Sequence, residues 1–205
     1  MISLSVTVLT KKYNRKTVFE DVQFGHNSGI LGISGSNGSG KSTLMKCLAG
    51  LLRPNSGTIE WKLNGDLLSQ TELKDHIGYA APYISLYEEL TVLENLEFLS
   101  EVSQQHLNET DIQQLLSKTE TDSLKNKFYK SLSTGQQQRV KLASSPIRDP
   151  EVLFWDEPGS NLDSNGHALV QRLLKEQKEK GCLVFLASND PDEIALCDEV
   201  LELSI

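Results

Sequence analysis

The chain has 205 residues, 23% of them charged, and a formal net charge of −8. That length allows one domain with a real hydrophobic core, and the acidic balance argues against binding along a nucleic-acid backbone, which needs clustered Lys and Arg. The apolar runs fall well short of the roughly 20 residues that span a bilayer, and the N-terminal MISLSVTVLTKKY lacks the charge-then-apolar order of a signal peptide.

Ile2, Leu4, Val6 and Val8 alternate with polar residues, the period of a half-buried strand. TVFEDVQF gives a second strand, with a turn at Asn14-Arg15, and both read as antiparallel. GILGIS predicts a buried strand running into the glycine-rich stretch GSNGSGKST, STLMKCLAGLL follows with helical spacing, and GTIEWKLNG returns as a strand. From about Thr91 to Ser144 the character is helical. Thr91 and Glu94 form a T-x-x-E capping box, and DIQQLLSKT is a short amphipathic helix. The last third alternates: VLFW, SNGHALVQRLLKEQKEK, CLVFLA, DPDEIALC and VLEL. Continuous apolar strands alternating with helices predict an α/β core with a mostly parallel sheet covered on both faces. Cys47, Cys182 and Cys197 show no C-x-x-C spacing and read as reduced thiols of a cytosolic protein.

Gly35-Ser36-Asn37-Gly38-Ser39-Gly40-Lys41-Ser42 satisfies G-x-x-x-x-G-K-[ST] between a strand and a helix, the context the phosphate-binding motif requires. Glycines let successive N–H groups turn inward on phosphate oxygens, and the helix presents its positive end. Lys41 is expected to reach the β- and γ-phosphates of ATP, Ser42 to supply a hydroxyl to Mg²⁺, and Thr43 to touch the α-phosphate. EVLFWDEP places Asp156 and Glu157 at the end of a buried strand. Asp156 suits a water-mediated Mg²⁺ contact and Glu157 a general base toward the attacking water.

Leu132-Ser133-Thr134-Gly135-Gln136, just upstream of that strand, resembles the signature motif of ABC ATPases, and Ser133 with Gln136 also makes an S-x-x-Q cap. Ser160 to Asp163, SNLD, resembles the family's D-loop, and Tyr13 sits where the family places an adenine-stacking aromatic. The resemblance covers essentially the whole chain. It implies a P-loop NTPase core with an N-terminal antiparallel β-subdomain and an inserted helical subdomain. The expected division is residues 1–28 and 57–64 for the β-subdomain, 29–56, 65–82 and 146–205 for the core, and 83–145 for the helical part. It also implies a head-to-tail dimer in which Ser133, Gly135 and Gln136 of one copy meet the nucleotide of the other.

Two positions depart from the family pattern. Pro82 stands where the family carries Gln, and Asn189 where it carries His. An Asn amide still donates a hydrogen bond but cannot titrate, so slow hydrolysis is expected. The function implied is an ATP-binding and ATP-hydrolysing subunit that powers a membrane transporter. It would lie in the cytoplasm on the inner face of the membrane, paired with itself or a similar subunit and with separate transmembrane chains. The size resembles compact exporter ATPases, including the haem-exporter type. The alternatives are a soluble ABC ATPase used as an assembly module, as in iron–sulfur assembly, and an ATP switch with very slow turnover. YISLYEEL, with Tyr83, Ile84, Leu86 and Tyr87, is apolar enough to dock on a partner.

Overall fold

The computed structural model describes residues 1–14 and 16–203. The elements in chain order are β1 (Ile2–Tyr13), β2 (Lys16–His26), β3 (Ile30–Ser34), α1 (Lys41–Leu48), β4 (Ser56–Leu63), β5 (Asp66–Leu67), α2 (Gln70–Leu73), β6 (Ile77–Ala80), α3 (Val92–Val102), α4 (Glu109–Lys118), α5 (Thr134–Ser144), β7 (Val152–Asp156), α6 (Ser164–Glu179), β8 (Leu183–Ala187), α7 (Pro191–Ile194) and β9 (Glu199–Glu202). The antiparallel sheet has the order β2-β1-β4-β5 and the second sheet, parallel throughout, β6-β7-β8-β3-β9.

Ile2, Leu4 and Val6 point into the core, but the alternation stops before Val8, which is exposed with φ 47°. The pairing of β1 with both neighbours shifts after this stretch, and the bulge turns Leu9 inward instead. The turn expected at Asn14-Arg15 falls partly on Arg15, which lies outside the described residues. The antiparallel sheet also runs past residue 64. Asn64 and Gly65 both take positive φ, 54° and 98°, and fold β5 back onto β4 as a tight hairpin.

The apolar runs do form parallel strands. Every residue of β7 and β8 is buried. Their register sets Tyr79, Phe154 and Phe185 side by side across β6, β7 and β8, and the rings stack with centroids 5.7 and 4.9 Å apart. Trp61 of β4 meets Phe154 and Phe185 edge-on and donates to the Leu48 carbonyl at the end of α1 (2.9 Å). One side chain therefore joins the antiparallel sheet, the parallel sheet and the helix that follows the glycine-rich loop. Burying an aromatic this size contributes about 2–3 kcal/mol. On the other face Trp155 packs with α6 residues Leu169, Leu173 and Leu174, its indole N–H donating to Ser145 Oγ (3.0 Å). A separate apolar cluster lies among α3, α4 and α5, built on Leu96, Ile112, Leu116, Tyr129 and Val140. The capping box of α3 is formed: Thr91 Oγ1 accepts from Glu94 N–H, and the Glu94 carboxylate accepts from Thr91 N–H (2.7 Å).

Candidate functional site

Strand β3 delivers the chain into the loop Gly35–Gly40, and α1 begins at Lys41. Gly40 takes φ 103°, and a side chain there would collide with Val18 Cγ1 at 2.6 Å. Being glycine, it offers no side-chain cap, and the first turn of α1 carries no acid. The leading N–H groups of the helix are thus left to an incoming anion. Lys41 is buried and curls back over the loop. Its Nζ donates to the carbonyls of Gly35 (2.8 Å) and Ser36 (3.4 Å) and to Asn189 Oδ1 (2.6 Å). Asn189 Nδ2 in turn donates to Asn37 Oδ1. Ser39 folds inward, its hydroxyl buried without a partner.

Asp156 closes β7 and is wholly buried, and neither carboxylate oxygen has a hydrogen-bond partner. Burial pushes its pKa up, against the pull of the nearby Ser42 and Tyr83 hydroxyls and the Lys41 and Lys46 ammonium groups. A buried, unpartnered carboxylate beside a Ser hydroxyl fits a hard divalent cation. Glu157 follows with φ 49°, a left-handed conformation uncommon for a side-chain-bearing residue. Its N–H donates to the Ala187 carbonyl (2.7 Å), and its Oε1 lies 3.6 Å from Lys41 Nζ. Burial raises its pKa first. Lys41 and the Asn189 backbone oppose the rise, and Asp156 adds to it.

Tyr13, Asn37, Gly38, Gly40, Lys41, Ser42, Thr43 and Glu157 line one open cleft. Gly35, Ser36 and Asn37 line an adjoining groove with Asn189. Tyr13 is half exposed at the rim, with Lys11 Nζ 5.0 Å from its ring centroid. Ser133, Gly135 and Gln136 line neither. Ser133 and Gln136 instead close a capping box at the start of α5 (3.1 and 3.3 Å), leaving Ser133 exposed. Gly135 packs against the segment Ser160–Asp163, where a methyl would sit 2.9 Å from the Asn161 carbonyl.

Sequence reading misses two groups that the fold brings in, Gln138 and Lys141, and takes Tyr83 only as part of an apolar docking stretch. Gln138 is buried, and its amide donates to the carbonyls of Pro158 (3.0 Å) and Glu157 (3.4 Å), fixing the loop that carries the carboxylate. Lys141, also buried and with its pKa lowered by burial, donates to the carbonyls of Pro82 (3.1 Å) and Ala81 (3.4 Å). Residues 138, 141, 142 and 145 are all buried at helical i, i+3, i+4, i+7 spacing, so three polar side chains on an inward stripe are the available signal. Tyr83 hydrogen-bonds through its hydroxyl to Tyr79 (2.6 Å), and Lys46 Nζ lies 3.7 Å over its ring. Leu86 packs onto the helical cluster rather than standing free, whereas Tyr87 is exposed and meets Phe98 edge-on at 5.1 Å.

Residues 19–160 match the ABC transporter family. The chain is 34% identical to the ergothioneine transport ATP-binding protein EgtV of Helicobacter pylori, over 93% of this chain and 92% of that one. It is 29% identical to the ABC transporter ATP-binding protein YybJ of Bacillus subtilis, over 98% and 92%. Among solved structures it resembles the bacterial ABC transporter cassette MJ0796, both as a dimer and as a dimer in a post-hydrolysis state bound to ADP and Pi. The TM-score is 0.86 and the identity 25%, over 98% of this chain and 94% of that one.

Proposed function

Because this chain belongs to the ABC transporter family, whose ATP-binding subunits drive transport, we propose that it binds and hydrolyses MgATP and transmits the resulting conformational change to separate transmembrane subunits. The observation that carries this reading is the meeting of Lys41, Ser42 and Glu157 at one cleft, the lysine ammonium 3.6 Å from the glutamate, with the buried Asp156 carboxylate beside Ser42. The triphosphate lies along the loop Gly35–Gly40, its terminal phosphates drawing Lys41 away from the Gly35 and Ser36 carbonyls. Ser42 and Asp156 would hold Mg²⁺. Bound there, the ion would neutralise charge on the β- and γ-phosphate oxygens. Glu157 orients the attacking water and accepts its proton, and its raised pKa brings it closer to a working base at neutral pH. Tyr13 contacts the base at the cleft rim.

Turnover is slow in the isolated subunit. Pro82 brings no side-chain donor or acceptor to the cleft, and Asn189 is already engaged by Lys41 and Asn37. Losing one positioned donor in phosphoryl transfer costs about 3 kcal/mol, roughly 10²-fold in rate.

The signature residues Ser133, Gly135 and Gln136 line no part of their own chain's cleft, and the N-terminal end of α5 is exposed there. They serve the nucleotide of a second copy or a similar subunit. In this reading residues 83–145 act as the helical subdomain that carries the signature residues, while the antiparallel subdomain extends past residue 64 to take in β5. No helix among the described residues is long and apolar enough to cross a membrane. The subunit works in the cytoplasm, against the inner membrane face, through the exposed rings of Tyr87 and Phe98. Light scattering with ATP in the absence of Mg²⁺ tests the arrangement. Wild type should dimerise and Ser133→Arg should not. A monomer throughout, with ATP bound, would refute the paired site.

A further inference from the structure

Behind the loop that follows Glu157, three side chains from two stretches, α6 and α7, converge. His167 lies in the first turns of α6. Asp190 caps α7 through Oδ1, which accepts from Asp192 N–H (2.8 Å), leaving Oδ2 directed elsewhere. Glu193, within α7, has a side chain only 1% exposed. Its Oε2 accepts from Ser188 Oγ (2.6 Å), while Oε1 is buried with no hydrogen-bond partner. His167 Nδ1 lies 3.1 Å from Asp190 Oδ2 and 3.6 Å from Glu193 Oε1, yet closes a hydrogen bond with neither. One ligand atom from each residue falls within 4.8 Å of the other two. We propose that His167, Asp190 and Glu193 form a binding site for a divalent transition-metal ion of the Zn²⁺, Mn²⁺ or Co²⁺ class, separate from the Mg²⁺ of the nucleotide.

The geometry supports this over a simple ion pair. Atoms that share a cation of bond length about 2.0–2.1 Å stand roughly 2.8–3.0 Å apart in octahedral arrangement and roughly 3.3–3.4 Å apart in tetrahedral arrangement. The two measured edges lie close to these ranges. The imidazole nitrogen stands within 3.6 Å of both carboxylates and hydrogen-bonds to neither, which leaves its lone pair for a metal. A hydrogen-bonded ion pair would align with one oxygen. Glu193 Oε1 is also a buried acceptor without compensation, a state that costs free energy unless a cation or proton answers it. The imidazole selects against Mg²⁺ and Ca²⁺, which favour all-oxygen sets. The His167 and Asp190 side chains are about one-third exposed, at 35% and 32%, although His167 Nδ1 and Glu193 Oε1 themselves are buried.

The site's surroundings give it a consequence. Gly159 passes directly over it, and a methyl there would lie 2.8 Å from His167 Nδ1 and closer still to Glu193 Oε1. Ser188, which holds Glu193, precedes Asn189, which holds Lys41. A bound ion ties α6 and α7 together beneath the Glu157 loop and next to Asn189.

The test uses the full chain without an affinity tag, stripped with a chelator and free of nucleotide. It is titrated with Co²⁺ in millimolar Mg²⁺. One equivalent should bind with a ligand-field spectrum of nitrogen and oxygen donors, and Zn²⁺ should displace it. At a hundredfold excess over Kd, Zn²⁺ should raise Tm by roughly 5–10 °C. Glu193→Gln keeps the shape and the Ser188 contact, and Asp190→Asn keeps the helix cap. Each should weaken Co²⁺ binding at least tenfold while metal-free Tm stays near wild type. His167→Gln should do the same. Equal binding by wild type and Glu193→Gln overturns the proposal, as does no binding at all, which would leave only an ion pair. A thiolate-to-Co²⁺ band would overturn it too, pointing to Cys197, the one half-buried cysteine, whose burial pushes its pKa up to about 12.

Discussion

Replacing Glu157 with Gln separates the charge and basicity of this side chain from its shape. Lys41 Nζ lies 3.6 Å from Oε1. At that distance two unit charges attract by about 1 kcal/mol in water and about 5 kcal/mol near a protein surface, before desolvation. The Glu157 side chain is 30% exposed, so the lower end applies. This attraction competes with a phosphate for Lys41, and the carboxylate also repels the phosphate. Glu157→Gln removes both effects, so ATP affinity should hold or rise, by up to about tenfold for 1.4 kcal/mol. Turnover should fall 10²–10⁴-fold, about 3–5 kcal/mol of activation free energy, because the amide cannot accept the proton. In wild type the base works only when ionised. Because burial raises its pKa, the rate should climb with pH through a value above the ordinary glutamate range, and this limb should vanish in the variant. The stability effect has the opposite sign. A carboxyl whose folded pKa is raised binds its proton more tightly when folded, so its ionisation costs stability as pH rises above the unfolded value. Above that window Glu157→Gln should melt no lower than wild type. The assays are steady-state phosphate release at saturating MgATP across pH, fluorescent-nucleotide binding and thermal melting. Turnover within threefold of wild type, or loss of ATP affinity, would refute the assignment of Glu157 as base.

Gln138→Leu leaves the Pro158 and Glu157 carbonyls without their donor. It should cost about 1–3 kcal/mol of stability and lower kcat about tenfold with little change in KM, read by denaturant melts and phosphate release. Asn189→His frees Lys41 from its amide partner and supplies a donor that can carry charge. It should raise basal kcat by about tenfold or more, and a slower variant would show that Asn189 already does this work. Tyr87→Ser together with Phe98→Ser removes the exposed ring pair. Pull-down should lose the transmembrane subunits while nucleotide affinity stays within twofold, and unchanged recovery would place the docking face elsewhere.

Features carried by neighbours along the chain are legible in the order of residues alone. The phosphate-loop spacing, the buried runs of β7 and β8, and the capping boxes at Thr91–Glu94 and Ser133–Gln136 depend on contacts within a few residues or on hydrophobic period. These local signals mark Lys41, Ser42, Asp156 and Glu157 as candidates, and together they announce the family. The rest depends on distance in space. The bulge at Val8 depends on two partner strands at once. Asn189 meets Lys41 across 148 residues, and Lys141 reaches Pro82 across 59. Gln138 acts only because α5 packs beneath the loop after β7. His167, Asp190 and Glu193 read along the chain as ordinary polar residues of helix and loop. They become a cluster only when α6 and the end of β8 come together beside Gly159. Hydrophobic period and local capping are written along the chain. The placing of a buried polar atom against its partner is decided by how the sheets and helices pack.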